Sequence, residues 1–149
     1  MKKYEFNLER VWKVKKIYED IKKNEFHKAK SYLEKKEQEL KTLQEKLELE
    51  IVYYTCPSKG QSAPILGLSR NYINTIIKKI DFKKDECDDA RDLLKEKRQQ
   101  LINAVKERKT YDKLNEKRYE EYKEMVKKEN QKKLDDNAMI VFTLDNRGR

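Results

Sequence analysis

Few side chains in this sequence can do covalent or acid–base chemistry, and their spacing does not gather them. The chain carries one histidine, His27, among lysines and glutamates on what reads as a charged helix face. An imidazole needs a second group that orients it or takes its proton before it works as a catalyst. No such partner pattern surrounds His27. Cys56 and Cys87 belong to no CxxC pair and to no cluster spaced for a metal. Cys87 falls among apolar residues, where a thiol packs as a small hydrophobe, and Cys56 stands beside Pro57 in a turn-forming stretch. Asp88 and Asp89, like Asp135 and Asp136, are sequence neighbours. Neighbours on a helix point apart and do not share a proton. No glycine-rich phosphate loop is present. The residues imply no enzyme, no cofactor and no metal.

What the sequence does position is a pair of long helices. Residues 56–67 read CPSKGQSAPILG and hold both prolines and two of the three glycines. Proline removes a helix donor and pushes its predecessor towards extended backbone. On either side run Lys, Glu, Leu and Tyr without a breaker. The expected fold is all-α: two long antiparallel helices in one coiled-coil hairpin, with helix 1 over about 4–55, the turn over 56–68 and helix 2 over about 69–140. Ser69 is the expected N-cap of the second helix.

The first arm suggests an eleven-residue repeat, with columns Tyr18, Ala29, Leu40, Ile51 and Ile21, Tyr32, Leu43, Tyr54, flanked by Val11, Val14, Leu33 and Leu47. Such a repeat supercoils little or slightly right-handed. Lys36 and Glu25 read as polar intrusions. The second arm offers Ile73, Ile76, Ile77, Ile80, Cys87, Ala90, Leu94, Leu101 and Val105, then a more aromatic line through Tyr111, Leu114, Tyr119 and Tyr122. Reversal near residue 62 sets Leu47 against Ile77, Leu43 against Ile80, Tyr18 against Val105 and Val11 against Leu114. The arms are unequal, so residues beyond about Tyr122 pass the start of the first arm and the monomer is expected to be an extended rod.

Charge excludes other classes. Charged residues make up 44% of the chain and hydrophobic ones 36%, too few for a broad globular core. The formal net charge of +9 is interspersed with acids along both arms, unlike the uninterrupted basic stripe of a nucleic-acid binder. No run approaches the ~20 apolar residues that cross a bilayer, and the opening MKKYEFNLERVWK has no apolar segment behind it. A soluble cytoplasmic protein with free thiols and no transmembrane segment is expected.

Two apolar clusters exceed what a two-helix seam can cover. One, near the turn, includes Ile51 to Tyr54, Leu66, Leu68, Tyr72, Ile73, Ile76 and Ile77; the other is Ala138-Met139-Ile140-Val141-Phe142. Exposed apolar clusters commonly mark partner contacts.

Length, hairpin layout and unequal arms, with three local stretches, resemble the FliJ family of the flagellar type III export apparatus. The opening YEFNLERVWKVKKIYED is similar to that family's aromatic-rich entry. SRNYINTIIKKID resembles its tyrosine-bearing restart, and KKENQKKLDDNAMIVF its closing Lys/Glu run and short terminal segment. The resemblance implies a stalk like that of rotary ATPases, peripheral at the inner face of the cell membrane. Its implied partners are the hexameric export ATPase, the cytoplasmic domain of the export gate, and export chaperones that it helps to recycle. With the apolar surplus, it suggests a gate-binding patch at Tyr54, Tyr72 and Ile76. It also suggests an ATPase-ring contact at Phe6, Leu8, Tyr122, Met125, Lys128 and Lys132. A stalk of a virulence secretion system, a coiled-coil chaperone or adaptor without a motor partner, and a nucleic-acid-binding hairpin are the competing readings.

Overall fold

A computed structural model describes residues 3–55 and 63–148. It is 95% helical, with two long helices packed against each other as a hairpin and no strand among the described residues. Helix α1 spans Glu9–Thr55 and α2 spans Ala63–Arg147. The expected turn centre, with Cys56, Pro57 and Gly60, lies outside the described residues.

Both helix starts differ from the sequence expectation. The second helix begins at Ala63, so Ser69 is an interior residue rather than an N-cap. Pro64 does not prevent this, because in a first turn its missing N–H would have no intrahelical acceptor anyway. Gly67 is interior too, and a Cβ placed there would meet no atom within 4 Å. One glycine costs a helix about 1 kcal/mol relative to alanine, too little to stop one that has packing to gain. At the other end, residues 4–8 precede α1 instead of forming its first turns. The Glu9 amide donates to the Phe6 carbonyl (2.9 Å) and the Trp12 amide to that of Leu8 (2.9 Å). α2 also runs past residue 140, to Arg147.

Two compact units divide the chain: Met1–Glu19 with Ala104–Arg149, and Asp20–Asn103. In the second unit the less exposed positions of α1, apart from the flanking Glu25 and Glu39, follow alternate steps of four and three: Lys22, Phe26, Ala29, Leu33, Lys36, Leu40, Leu43, Leu47, Glu50, Tyr54. Those of α2, apart from the flanking Glu86 and Gln100, do the same from Leu66 through Ser69, Ile73, Ile76, Ile80, Lys83, Cys87, Ala90, Leu94 and Lys97 to Leu101. This is a heptad seam, not an eleven-residue repeat. Several members of the expected columns lie outside it: Ile21, Tyr32 and Ile51 are exposed, while Ala29, Leu40, Leu43 and Tyr54 belong to it. The error arose from treating Lys36 as an intrusion. Lysine buries its methylene stem and keeps only its ammonium at the rim, so it occupies a seam position without an apolar head. With lysines admitted, the period is seven.

Burial also separates the two isoleucines expected in the α2 seam near Leu47. Ile76 is 2% exposed and Ile77 is 40%, so the seam residue at the level of Leu47 is Ile76. Ile80, Cys87 and Ala90 are buried, and with Ile76 and Ala29 they form the centre of this unit.

In the first unit, Leu8, Trp12, Lys15 and Glu19 face Ala104, Arg108, Tyr111 and Asn115 with the same alternate spacing. Val11, Val14 and Tyr18, expected inside, are 39%, 60% and 43% exposed. The non-helical entry is pinned by side chains. Tyr4 Oη donates to Asn115 Oδ1 (2.7 Å), and the Tyr4 ring packs on Tyr119 (5.2 Å) and Tyr122 (5.5 Å). Phe6 is buried edge-on against Trp12 (6.1 Å), whose Nε1 donates to Asp112 Oδ1 (2.6 Å).

Candidate functional site

His27 is exposed, with the Phe26 ring as an aromatic neighbour at 5.7 Å. Cys87 is fully buried, and that burial pushes its thiol above the ordinary range. A thiol raised in this way is a poor nucleophile at neutral pH. Asp88 is held by Arg91 (2.8 Å). Among the described residues no group of three His, Cys, Asp or Glu side chains could hold a metal. No helix among them is long and apolar enough to cross a membrane. What the chain does present is surface.

One such surface is the C-terminal stretch of α2. From Lys127 to Gly148 every described residue is exposed. Leu134, Met139, Ile140, Val141, Phe142 and Leu144 are between 56% and 69% exposed. This stretch comes after the last half-covered positions, Tyr122 and Val126. Continuing the seam spacing from Val126 leads to Glu129, Lys133 and Asp136, so the heptad turns polar while the apolar residues spread around the helix. Lys127, Lys128, Lys132 and Lys133 form a basic collar just before the apolar segment, and Lys133 pairs with Glu129 (3.1 Å).

The residues expected at the ring contact divide. Met125 is 60% exposed, and Lys128 and Lys132 are exposed beside it. A shallow groove on α2 is lined by Met125 with three lysines, Lys128 and Lys132 among them, and four glutamates. Leu8 is half-buried in the seam, and Tyr122 is half-buried under the Tyr4 ring. Phe6 is 8% exposed and serves the entry segment's packing, which corrects its place in a contact surface. The reason is chain direction: before α1 begins, the backbone is not helical, and Phe6 turns inward beside Trp12.

The residues expected at the gate patch divide too. Tyr72 is 39% exposed, with the Lys46 ammonium over its ring at 5.3 Å, and Tyr54 is half-buried. Ile76 is buried at the seam, so it belongs to the core and not to an exposed face. Leu49, Val52, Tyr53, Ile65 and Leu68, at 47% to 72%, are among the exposed apolar residues near this end.

One surface escaped the sequence reading. Val11, Val14, Ile17 and Tyr18 lie on the outward side of α1, exposed by 39% to 60%. Placing them in the seam hid them. The signal that reveals them is the heptad phase, which puts Trp12, Lys15 and Glu19 inside and leaves their apolar neighbours out.

Comparison with known families gives one result. The family model described as Flagellar FliJ protein matches residues 4–147. No curated protein and no solved structure matches the chain.

Proposed function

The chain belongs to the flagellar FliJ protein family, which makes it a flagellar export-related protein of a non-catalytic family, and from this premise we propose that it is the stalk of the export machinery. In this reading it engages the ring of the export ATPase, links that ring to the cytoplasmic domain of the export gate, and takes part in recycling export chaperones at the inner face of the membrane.

The observation that carries the reading is the C-terminal stretch of α2, helical to Arg147 yet exposed throughout, with an apolar segment behind a basic collar. A helix that keeps so much apolar surface in water has a partner to meet. Met125, Lys128 and Lys132 lead that contact, with Leu8 and Tyr122 setting the end of the seam beneath it. Basic side chains steer the end towards an acidic or neutral opening, and apolar contacts hold it loosely enough to turn. Tyr72 and Tyr54 are the remaining candidates for the gate.

Truncation after Glu129 tests the reading. The shortened chain should keep its paired helices, because α1 packs before that point. It should lose stimulation of ATP turnover by the export ATPase while still binding the gate. Undiminished stimulation by the truncated protein would remove the ring contact from this end.

A further inference from the structure

Four seam lysines form a repeated arrangement across the two helices of the Asp20–Asn103 unit. Lys36 Nζ reaches Glu86 Oε2 on the opposite helix (3.4 Å), and Lys83 Nζ reaches Glu39 Oε2 in return (2.8 Å). Each lysine also lies near the carboxylate three residues on in its own helix, Lys36 to Glu39 (3.7 Å) and Lys83 to Glu86 (2.6 Å). The pattern recurs two heptads away on both helices. Lys22 Nζ reaches Gln100 Oε1 (3.3 Å), and Lys97 Nζ reaches Glu25 Oε2 (3.0 Å), with Lys22 also bound to Glu25 (3.1 Å). Phe26, Ala29 and Leu33 on α1, and Cys87, Ala90 and Leu94 on α2, fill the seam between the two tetrads.

The stems are well covered: Lys22, Lys36 and Lys83 side chains are 16%, 16% and 19% exposed. Ammonium groups so placed are stable only with oxygen partners beside them. A heptad seam of leucine and alanine alone offers no such demand, and sliding it by seven residues restores equivalent apolar contacts.

We infer that the two lysine tetrads, one completed by Glu39 and Glu86 and the other by Glu25 and Gln100, are a register lock, which selects the observed alignment of α1 and α2 over alignments one heptad away. Sliding by seven residues, about 10 Å, breaks both tetrads in either sense. In one sense Lys83 comes level with Lys46, and Lys36 with Leu93. In the other, Lys36 comes level with Lys79, and Lys22 with Leu93. Each slip thus sets a seam lysine against another lysine and leaves a second one opposite an apolar residue, with only the carboxylate of its own helix beside it. A slip of two heptads matches one tetrad and loses the other. Single polar seam residues fix register in coiled coils by this logic, and here two copies act at a set separation. A locked register matters to a helical pair that passes axial displacement along its length, since a seam free to slide would absorb the movement.

Cross-linking reads the register directly. In a full-length background with Cys56→Ser and Cys87→Ala, Glu37→Cys with Arg91→Cys reports the observed alignment, since these side chains are paired at 3.2 Å. Glu37→Cys with Lys84→Cys, or with Arg98→Cys, reports a slip of one heptad in either sense. The background should give the 37–91 adduct with a short bis-maleimide and only traces of the others. Replacing Lys22, Lys36, Lys83 and Lys97 by Leu should keep the chain helical and raise the slipped adducts roughly tenfold, because an apolar seam no longer separates the registers. Arg at all four positions should keep the 37–91 adduct dominant. The inference is overturned if the helical leucine variant still gives the 37–91 adduct alone, or if the unmodified seam already gives slipped adducts. Loss of helicity in the leucine variant would also overturn it, since the lysines would then be required for folding rather than alignment.

Discussion

The seam of the Asp20–Asn103 unit and the C-terminal stretch of α2 are built from much the same residues, yet they behave as opposites. Lysine, glutamate and aliphatic side chains alternate in both. In the seam Lys36 is 16% exposed, and its ammonium lies between Glu39 and Glu86. In the C-terminal stretch Lys133 is 61% exposed beside a Glu129 that is 49% exposed. Ile76 is 2% exposed and Ile140 is 56%. The difference lies in phase. Where apolar residues and lysine stems keep steps of four and three, a partner helix can cover one line of them. After Val126 that line meets Glu129, Lys133 and Asp136, and no single partner line could cover the scattered apolar residues from Leu134 to Leu144. Composition sets what a helix is made of, and phase decides whether it is paired.

The sharpest way to break this contrast is to truncate one isoleucine in each region. Ile76→Ala should cost about 2–4 kcal/mol, as a large-to-small change at a buried position. That loss would register as a clear drop in the thermal midpoint by circular dichroism. Ile140→Ala should stay within about 0.5 kcal/mol, as an exposed change does. Similar midpoints for the two variants would show that the seam assignment is wrong.

Acid should separate the regions next. Lys83 beside Glu39 and Glu86, and Lys97 with Lys22 beside Glu25, hold these three carboxyls below the ordinary range. A carboxyl with a depressed folded-state pKa contributes stability above its unfolded pKa, and that contribution is lost as pH falls through the folded value. The midpoint should therefore hold from neutrality down to about pH 5 and decline below about pH 4. Glu39→Gln with Glu86→Gln should flatten the decline.

At the entry segment, Trp12→Phe removes the bond to Asp112 while keeping an aromatic ring against Phe6. The expected loss is about 1 kcal/mol, measurable in the same thermal assay. Gly67 offers the smallest effect and the opposite sign. Gly67→Ala should stabilise by about 0.5–1 kcal/mol, because the position is helical and the new methyl meets open space. Destabilisation instead would mean that this glycine ends or bends the helix.

Much of the hairpin was legible in residue order. The breaker-rich stretch between two uninterrupted charged runs implied two long helices, and Ile73, Ile80, Cys87, Ala90 and Leu94 implied where α2 turns inward. The exposed terminal cluster from Ala138 to Phe142 was legible as well, because so many consecutive apolar residues exceed one stripe whatever the partner. These features depend on backbone preferences and on counting, which are local.

Tertiary structure decided what depends on the facing helix. Whether Lys22, Lys36, Lys83 and Lys97 belong to the seam cannot be read from their own helix, because a lysine is tolerated there only when a carboxylate or amide oxygen arrives from across. Admitting them changed the period from eleven to seven, moved Val11, Val14 and Tyr18 outside, and kept Ile76 inside while Ile77 turned outward. The entry segment obeyed the same rule. Tyr4 and Phe6 left the helix because Asn115, Tyr119, Tyr122 and Trp12 offered them better partners than another helical turn. Burial and ion pairing are properties of two surfaces together, and one strand of sequence carries only half of each.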